Sequence, residues 1–216
     1  MMALVSARPE QRWLSLEHLR ARATELYAAL TWLHVPAVAV IALAAQRAWV
    51  APTATLLVVA LIATAAARYM KDGIALRSIM TLALTAGPMA FAATGLGSID
   101  TSLYFFAVIA MLVGYVDWRP IIIAASASAF SAVLISLAAS DIVFPAEGMD
   151  RFVVQGISLL LELVVLISIT STLQRLFSNV DDFMEFTMKE TAEALAGQMH
   201  EKARLQAELN KLRATA

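Results

Sequence analysis

Long apolar runs alternate with short polar stretches through the first 173 residues of the chain. An α-helix rises about 1.5 Å per residue, so a run of about 20 apolar residues can cross the hydrocarbon core of a bilayer. The pattern therefore predicts an all-α membrane protein with six transmembrane helices between residues 26 and 173. The predicted spans are Leu26–Ala45, Ala48–Ala67, Ile74–Gly95, Leu103–Val116, Ile121–Ala139 and Phe152–Leu173. The fourth is the shortest, so five spans are the main alternative.

Residues 1–25 precede the first apolar run and mix arginine with leucine and glutamate. This mixture excludes a cleaved signal peptide. The spacing of Leu16, Leu19 and Leu26, with Trp13 nearby, predicts an amphipathic helix along the cytoplasmic surface of the membrane. A helical extension of the first span explains the same pattern equally well.

Lysine and arginine are concentrated on one side of the predicted membrane. The N-terminal tail, the second and fourth connections and the C-terminal tail carry most of them, whereas the other side has only Arg47 and Arg151. Because positively charged flanks stay in the cytoplasm, both termini are predicted to be cytoplasmic and the loop 140–150 to face outward.

From Gln174 to the last residue the chain is rich in Glu, Lys, Gln, Leu and Ala, and it contains no proline. Leu205, Leu209 and Leu212 continue an alternating spacing of four and three residues, which is typical of a coiled coil. A second register, displaced by one residue, precedes them near Leu173. Residues 174–216 are therefore predicted to form a parallel homodimeric coiled coil that acts as a signalling linker, with a solitary surface helix as the alternative.

The composition supports a membrane location and excludes several functions. Of the residues, 60% are hydrophobic and 15% charged, and the mean hydropathy is +0.74. A net charge of −1 with scattered basic residues gives no footprint for nucleic acid. The chain has no cysteine and no recognisable catalytic motif, so we expect it not to be an enzyme.

Ionisable side chains at membrane depth are expensive and are therefore candidates for function. Glu162 lies near the middle of the sixth span and His34 lies in the first span, two residues before Pro36. Arg77, one turn into the third span, is expected to reach back to the interface. A ligand pocket among the first, fourth and sixth spans is predicted to contain Trp32, His34, Tyr104, Phe105, Gln155 and Glu162.

The same residues have a structural interpretation. His34 can bond a carbonyl that Pro36 leaves without its partner, and protonated Glu162 can bond a neighbouring helix. Two ligands are too few for a metal or haem, so no cofactor is expected.

The stretch GYVDWRPIII, residues 114–123, separates the fourth and fifth spans. It is interpreted as a minimal cytoplasmic turn in which Asp117 caps the fifth helix and pairs with Arg119, while Trp118 lies in the interfacial belt. The turn is predicted to share a membrane face with the start of the output helix. Residues predicted to couple a signal are Asp117, Trp118, Arg119, Leu205, Leu209 and Leu212.

The run from Tyr104 to Pro145, together with WLHVP at 32–36, resembles the six-span N-terminal membrane region of certain bacterial signal transducers. Methyl-accepting chemotaxis receptors and diguanylate cyclases carry such regions, and the membrane anchors of class III adenylate cyclases are more distantly similar. The most specific part is Tyr115–Pro120 with Phe105 and Phe106 before it. Relatives are often rich in histidine just before these phenylalanines and again in the fifth span. This chain has Ser102, Leu103, Tyr104 and a Ser/Ala run at those places and retains only His34, in the first span.

The resemblance implies a sensory domain in the bacterial inner membrane that passes a ligand or membrane signal to a C-terminal output domain. The expected partners are the lipid bilayer, a second copy of the chain and a small hydrophobic ligand. No output domain is recognisable within the 216 residues, and we expect one to follow. A dimerising membrane anchor for a cytoplasmic enzyme and a small transporter are the alternative functions.

Overall fold

A computed structural model describes residues 16–94, 98–138 and 149–215, and helices account for nearly all of them. The predicted all-α class is confirmed for these ranges, which contain no strand. In chain order the helices are α1 Leu16–Ala44, α2 Val50–Tyr69, α3 Ile74–Ala93, α4 Ser98–Met111, a 3-10 helix Leu112–Tyr115, α5 Trp118–Ala138 and α6 Met149–Thr215. Residues 1–15 and most of the predicted outward loop 140–150 lie outside the described residues.

Four helical segments in the described part of the chain are long and apolar enough to cross a membrane. They are Leu16–Ala44, Val50–Tyr69, Ile74–Ala93 and Gly156–Leu205. Leu103–Tyr115 is apolar but shorter. The predicted membrane location is consistent with these helices. The predicted fourth and fifth spans, Leu103–Val116 and Ile121–Ala139, remain predictions.

The chain divides into two units, one up to Leu173 and the other from Gln174 onward. In the second unit, α6 is helical and its described leucines, Leu176, Leu195 and Leu205, are exposed. The backbone of residues 209 and 212 is helical too, but their side chains lie outside the described ones. Homodimer formation therefore stays a prediction.

Helix α1 contains residues 16–25 as its first turns, so this part of the N-terminal segment is continuous with the first apolar run. Its end is a Schellman motif: the N–H of Arg47 donates to the carbonyl of Ala42 at 2.8 Å, and that of Gln46 to Leu43 at 3.0 Å. Gln46 has φ 54°, the left-handed conformation that this motif requires. The chain can therefore reverse into α2 within a few residues.

Helix α3 is the central helix of the first unit, because it packs against α1, α2, α4 and α5. Small residues on α2, including Ala60, Ala63 and Ala66, are buried and allow close helix approach. The largest fully buried side chains in the main core are Tyr27, Tyr115, Leu84, Met80, Ile109, Leu112 and Ile121. A side chain near the end of α3 is therefore surrounded by other helices, although its position in the sequence alone would place it close to the membrane surface.

Candidate ligand site and coupling turn

His34 and Tyr104 form a hydrogen-bonded pair between α1 and α4. Nδ1 of His34 lies 2.5 Å from the carbonyl oxygen of Leu30. Because a carbonyl only accepts, Nδ1 must carry a proton, and in a neutral imidazole the Nε2 lone pair then accepts from the Tyr104 hydroxyl. The imidazole is buried, and both of its nitrogens have a hydrogen-bond partner.

The pair is enclosed by α3. The Phe91 ring stands edge-on to Tyr104 at a centroid distance of 5.5 Å and lies 6.5 Å from the imidazole. Gly87 faces the imidazole ring of His34, and a Cβ added at Gly87 would overlap the atoms of that ring. Gly87 is therefore required by the close approach of His34 and not by its backbone conformation.

The carbonyl bonded by His34 differs from the expected one. Pro36 removes the N–H that would bond the carbonyl of Trp32, yet His34 bonds Leu30, four residues before it in the same helix. The predicted hydrogen-bond partner of His34 is therefore wrong. The ring bonds the carbonyl of Leu30 because a helical side chain points back toward the preceding turn of its own helix.

The other predicted pocket residues are distributed differently. The indole N–H of Trp32 donates to Thr64 of α2 at 2.8 Å, and the Trp32 ring is partly exposed. Phe105 is half-buried beside Tyr104 in the chain. The Gln155 side chain lies outside the described ones. The structure joins His34 with Tyr104 directly and turns Trp32 toward α2.

Glu162 lies on the face of α6 that also carries Leu166 and Thr170, at intervals of four residues. We call these three residues the inward face of α6, because Leu166 belongs to the main core and Thr170 is 0% exposed. The buried Oε2 of Glu162 and the hydroxyl of Thr170 have no hydrogen-bond partner among the described residues. Buried polar atoms are nearly always paired, so both unpaired oxygens require an explanation.

Asp117 caps α5 as predicted: its Oδ1 accepts from the backbone N–H of Arg119 at 3.1 Å. Its other oxygen does not pair with Arg119. Oδ2 accepts from Nη1 of Arg77 at 2.6 Å instead, and the Arg119 guanidinium lies 5.7 Å from the Trp118 ring centroid. The expected pairing of Asp117 with Arg119 is therefore wrong, because α3 places a buried arginine nearer to the carboxylate.

The expectation that the Arg77 side chain reaches the membrane interface is also wrong. It is 9% exposed, and besides Asp117 it binds Asp72 through Nε and Nη2, both at 3.1 Å. Two carboxylates thus surround one guanidinium. An arginine on a central helix cannot reach lipid headgroups past its neighbours, so it is satisfied by acids at the same end of the helices.

Arg20 of α1 completes this arrangement. Its Nε donates to the carbonyl of Tyr115 at 3.0 Å and its Nη2 to that of Val116 at 3.4 Å. Val116 has φ 50° and ψ 44°, a left-handed conformation that is unusual for a β-branched residue. Arg20 therefore binds the two carbonyls at the point where the chain turns from the 3-10 helix into α5.

We call Arg20, Asp72, Arg77 and Asp117 the polar cluster. Two positive and two negative side chains give it no net charge, and they connect α1, the α2–α3 connection, α3 and the α4–α5 turn. Nearby, the Tyr27 hydroxyl donates to the Met111 carbonyl, and the Tyr27 and Tyr115 rings meet edge-on at 4.9 Å. Sequence reasoning missed this cluster, although an arginine within an apolar run is a signal that a partner acid must be found.

Within the described ranges, no three His, Cys, Asp or Glu side chains are grouped so that they could hold a metal ion. Comparison of the chain with protein-family models, with curated proteins and with solved structures finds no match in any of the three.

Proposed function

We propose that the chain is the transmembrane sensory domain of a bacterial signal transducer, in which α6 carries a movement to a C-terminal output domain. The observation that supports this best is a difference in how the helices are held. Helices α1, α3 and α5 are joined by the directional bonds of the polar cluster, whereas α6 contacts the core through apolar side chains.

The contacts of α6 favour movement. Leu159, Leu163 and Leu166 pack against the main core. The hydrogen-bonded side chains Ser158 and Thr172 each donate to a carbonyl of α6 itself. Because apolar contact is non-directional, a small rotation or shift of α6 exchanges one set of contacts for another without breaking an ion pair.

The oxygens of Glu162 and Thr170 that have no partner among the described residues support a second position of α6, in which its polar groups are satisfied. Leaving a buried polar group unpaired costs about 1–3 kcal/mol. A ligand that donates to Glu162, or a shifted α6, would recover that free energy. Such a difference between two helix positions is what a ligand needs in order to change their populations.

The proposed ligand is a small hydrophobic molecule that binds near the His34–Tyr104 pair and the inward face of α6. The pair supplies one hydroxyl and one imidazole in an apolar enclosure, and Glu162 supplies an acceptor. A ligand with a single polar group would compete with the bond between His34 and Tyr104.

The membrane arrangement belongs to the same proposal. Helix α5 has 21 residues and α4 continues into the 3-10 helix, so each can serve as a further span beside the four long apolar segments. The end with the polar cluster faces the cytoplasm in this arrangement. Both termini are then cytoplasmic, and the second unit forms a homodimeric coiled coil.

The test is a chimaera in which a cytoplasmic nucleotide-cyclase domain follows residue 216. One to four alanines are inserted between Leu173 and Gln174, and each turns the following helix by about 100°. If α6 transmits the signal, one or two inserted alanines should change the cyclic-nucleotide output. Four alanines add about one full turn, so they should return the output toward that of the chimaera without an insertion. The same insertions behind an unrelated dimeric anchor serve as the control.

If the cyclic-nucleotide output does not vary with the angle by which the inserted alanines turn the helix, the alternative is supported. In that alternative the chain is a membrane anchor that only dimerises an enzyme. The ligand site is tested separately in the parent chimaera with His34→Ala and Glu162→Gln. Unchanged output and unchanged response in both variants would remove these residues from the ligand site.

A further inference from the structure

We propose that a groove beside the first turns of α1 binds the acyl chain of an anionic phospholipid, whose phosphate is bound by Arg22. The groove has a volume of about 300 Å³. It is lined by Leu19, Arg22, Ala23, Leu26, Tyr27, Met111 and Gly114. Lipid binding here is independent of the proposed signalling function.

The groove exists because two of its residues are small. Gly114 has no side chain, and a Cβ there would lie 2.6 Å from the Tyr27 hydroxyl oxygen. Ala23 leaves further space one turn before Tyr27. Leu26 and Met111 also line the groove and are exposed, and the lining is almost wholly apolar. Such a groove in a membrane-spanning segment is filled by acyl chains in preference to water.

The position of the groove fits a whole lipid. Tyr27 and Met111, which both line the groove, are joined by a hydrogen bond from the Tyr27 hydroxyl, and Arg20, three residues before Ala23 on α1, binds the carbonyl of Tyr115 in the turn. Charged clusters and a partly exposed indole, here Trp118, mark the level of the lipid headgroups. An acyl chain lying in the groove therefore brings its phosphate to the level of Arg22.

Arg22 provides the charge complementarity. Its side chain is exposed and lies 3.9 Å from the carboxylate of Glu25, an exposed pair of the kind that contributes little. A guanidinium has five N–H donors in a planar fork, so it can bind a phosphate bidentately while keeping this contact. The proposal therefore favours a lipid with net negative charge over a zwitterionic one.

The experiment is native mass spectrometry of the purified chain in detergent, titrated with phosphatidylglycerol or with phosphatidylcholine of the same acyl chains. We expect phosphatidylglycerol to bind more tightly, and Arg22→Gln to weaken it about fivefold while leaving phosphatidylcholine unchanged. Arg68→Gln, which removes an exposed arginine at the end of α2, is the matched control and should leave both affinities unchanged.

Leu26→Trp tests the groove itself by filling it, and should weaken both lipids. Leu33→Trp is its control, because Leu33 is an exposed leucine one heptad later on α1 that does not line the groove. Equal binding by Leu26→Trp and Leu33→Trp, or equal loss with Arg22→Gln and Arg68→Gln, would overturn the proposal. A change in the monomer–dimer ratio without a change in bound lipid would assign the groove to a second copy and overturn it too.

Discussion

Asp117, in the turn between α4 and α5, accepts a hydrogen bond from Arg77 of α3 at 2.6 Å, although 40 residues separate them in the sequence. Both side chains are buried, and Asp72 binds the same guanidinium. The pair makes the α4–α5 turn part of the core at this end of the helices. The consequences for stability can be measured directly.

Arg77→Ala should lower the free energy of unfolding in detergent by about 3–5 kcal/mol, because it leaves buried carboxylates without their cation. Denaturant unfolding can be followed by the fluorescence of the four tryptophans. Arg68→Ala, an exposed arginine at the same end, should change stability by less than about 0.5 kcal/mol. Similar losses in the two variants would mean that the cluster adds no stability of its own.

Gly87→Ala should destabilise the protein, because the new methyl group overlaps the His34 imidazole. The matched variant Gly156→Ala has nothing within 4 Å of the added Cβ and should be neutral or stabilising by up to about 1 kcal/mol. Thermal unfolding measures both changes.

The cause of the stability lost in Gly87→Ala can be identified by making the same substitution in the His34→Ala variant. In His34→Ala the ring is absent, so adding Gly87→Ala should cost little. If the loss persists in that background, a contact other than the imidazole must be responsible.

Tyr104→Phe should lower stability by about 1 kcal/mol or more, since it leaves Nε2 of buried His34 without a donor. Tyr69→Phe removes the hydroxyl of a tyrosine that is 88% exposed and should have no effect. A double-mutant cycle with His34→Leu then gives the coupling energy of the pair. A coupling energy near zero would argue against the bond between the two side chains.

Thr170→Val should stabilise the protein by about 1 kcal/mol, because it replaces a buried hydroxyl that has no partner in the described part of the chain with a methyl group. Thr31→Val is the control at a residue that is also 0% exposed, but whose hydroxyl donates to the Tyr27 carbonyl at 2.8 Å. Thr31→Val should lower the stability by about the amount that Thr170→Val raises it. Changes of the same sign would mean that Thr170 has a partner such as water.

The predicted coiled coil can be tested because the chain has no native cysteine. Leu205→Cys, at a predicted core position, should form a disulfide-linked dimer on mild oxidation in membranes. Ala207→Cys lies two residues further, on the opposite side of the helix, and should cross-link much less. Equal cross-linking at the two positions would contradict a dimer in this register.

The sequence was sufficient to predict the long apolar helices, because a continuous apolar run is a local signal. The second span was expected at Ala48–Ala67 and is found at Val50–Tyr69. The fourth was less accurate: it begins earlier, at Ser98, and its end changes into a 3-10 helix. That change occurs where Arg20 binds the carbonyls of Tyr115 and Val116, a contact between distant residues that no local pattern contains.

The candidate site shows the same limit. His34 and Tyr104 were both selected from the sequence because polar groups are rare in apolar spans, but their direct bond depends on the space that Gly87 leaves on a third helix. The partners of Arg77 depend on α3 being central. Periodicity in a single helix cannot predict this, since it does not say which neighbours surround that helix.

Val116 adopts a left-handed conformation that costs an L-residue on the order of 1–2 kcal/mol, and Arg20 binds its carbonyl from α1. The shape of the α4–α5 turn therefore depends on a side chain that precedes it by 96 residues in the sequence. During synthesis α1 is already present when the turn emerges, so the order of the helices along the chain is also an order of assembly. A fragment that begins at α4 lacks the guanidinium that holds Val116, and its turn would relax to a different backbone conformation.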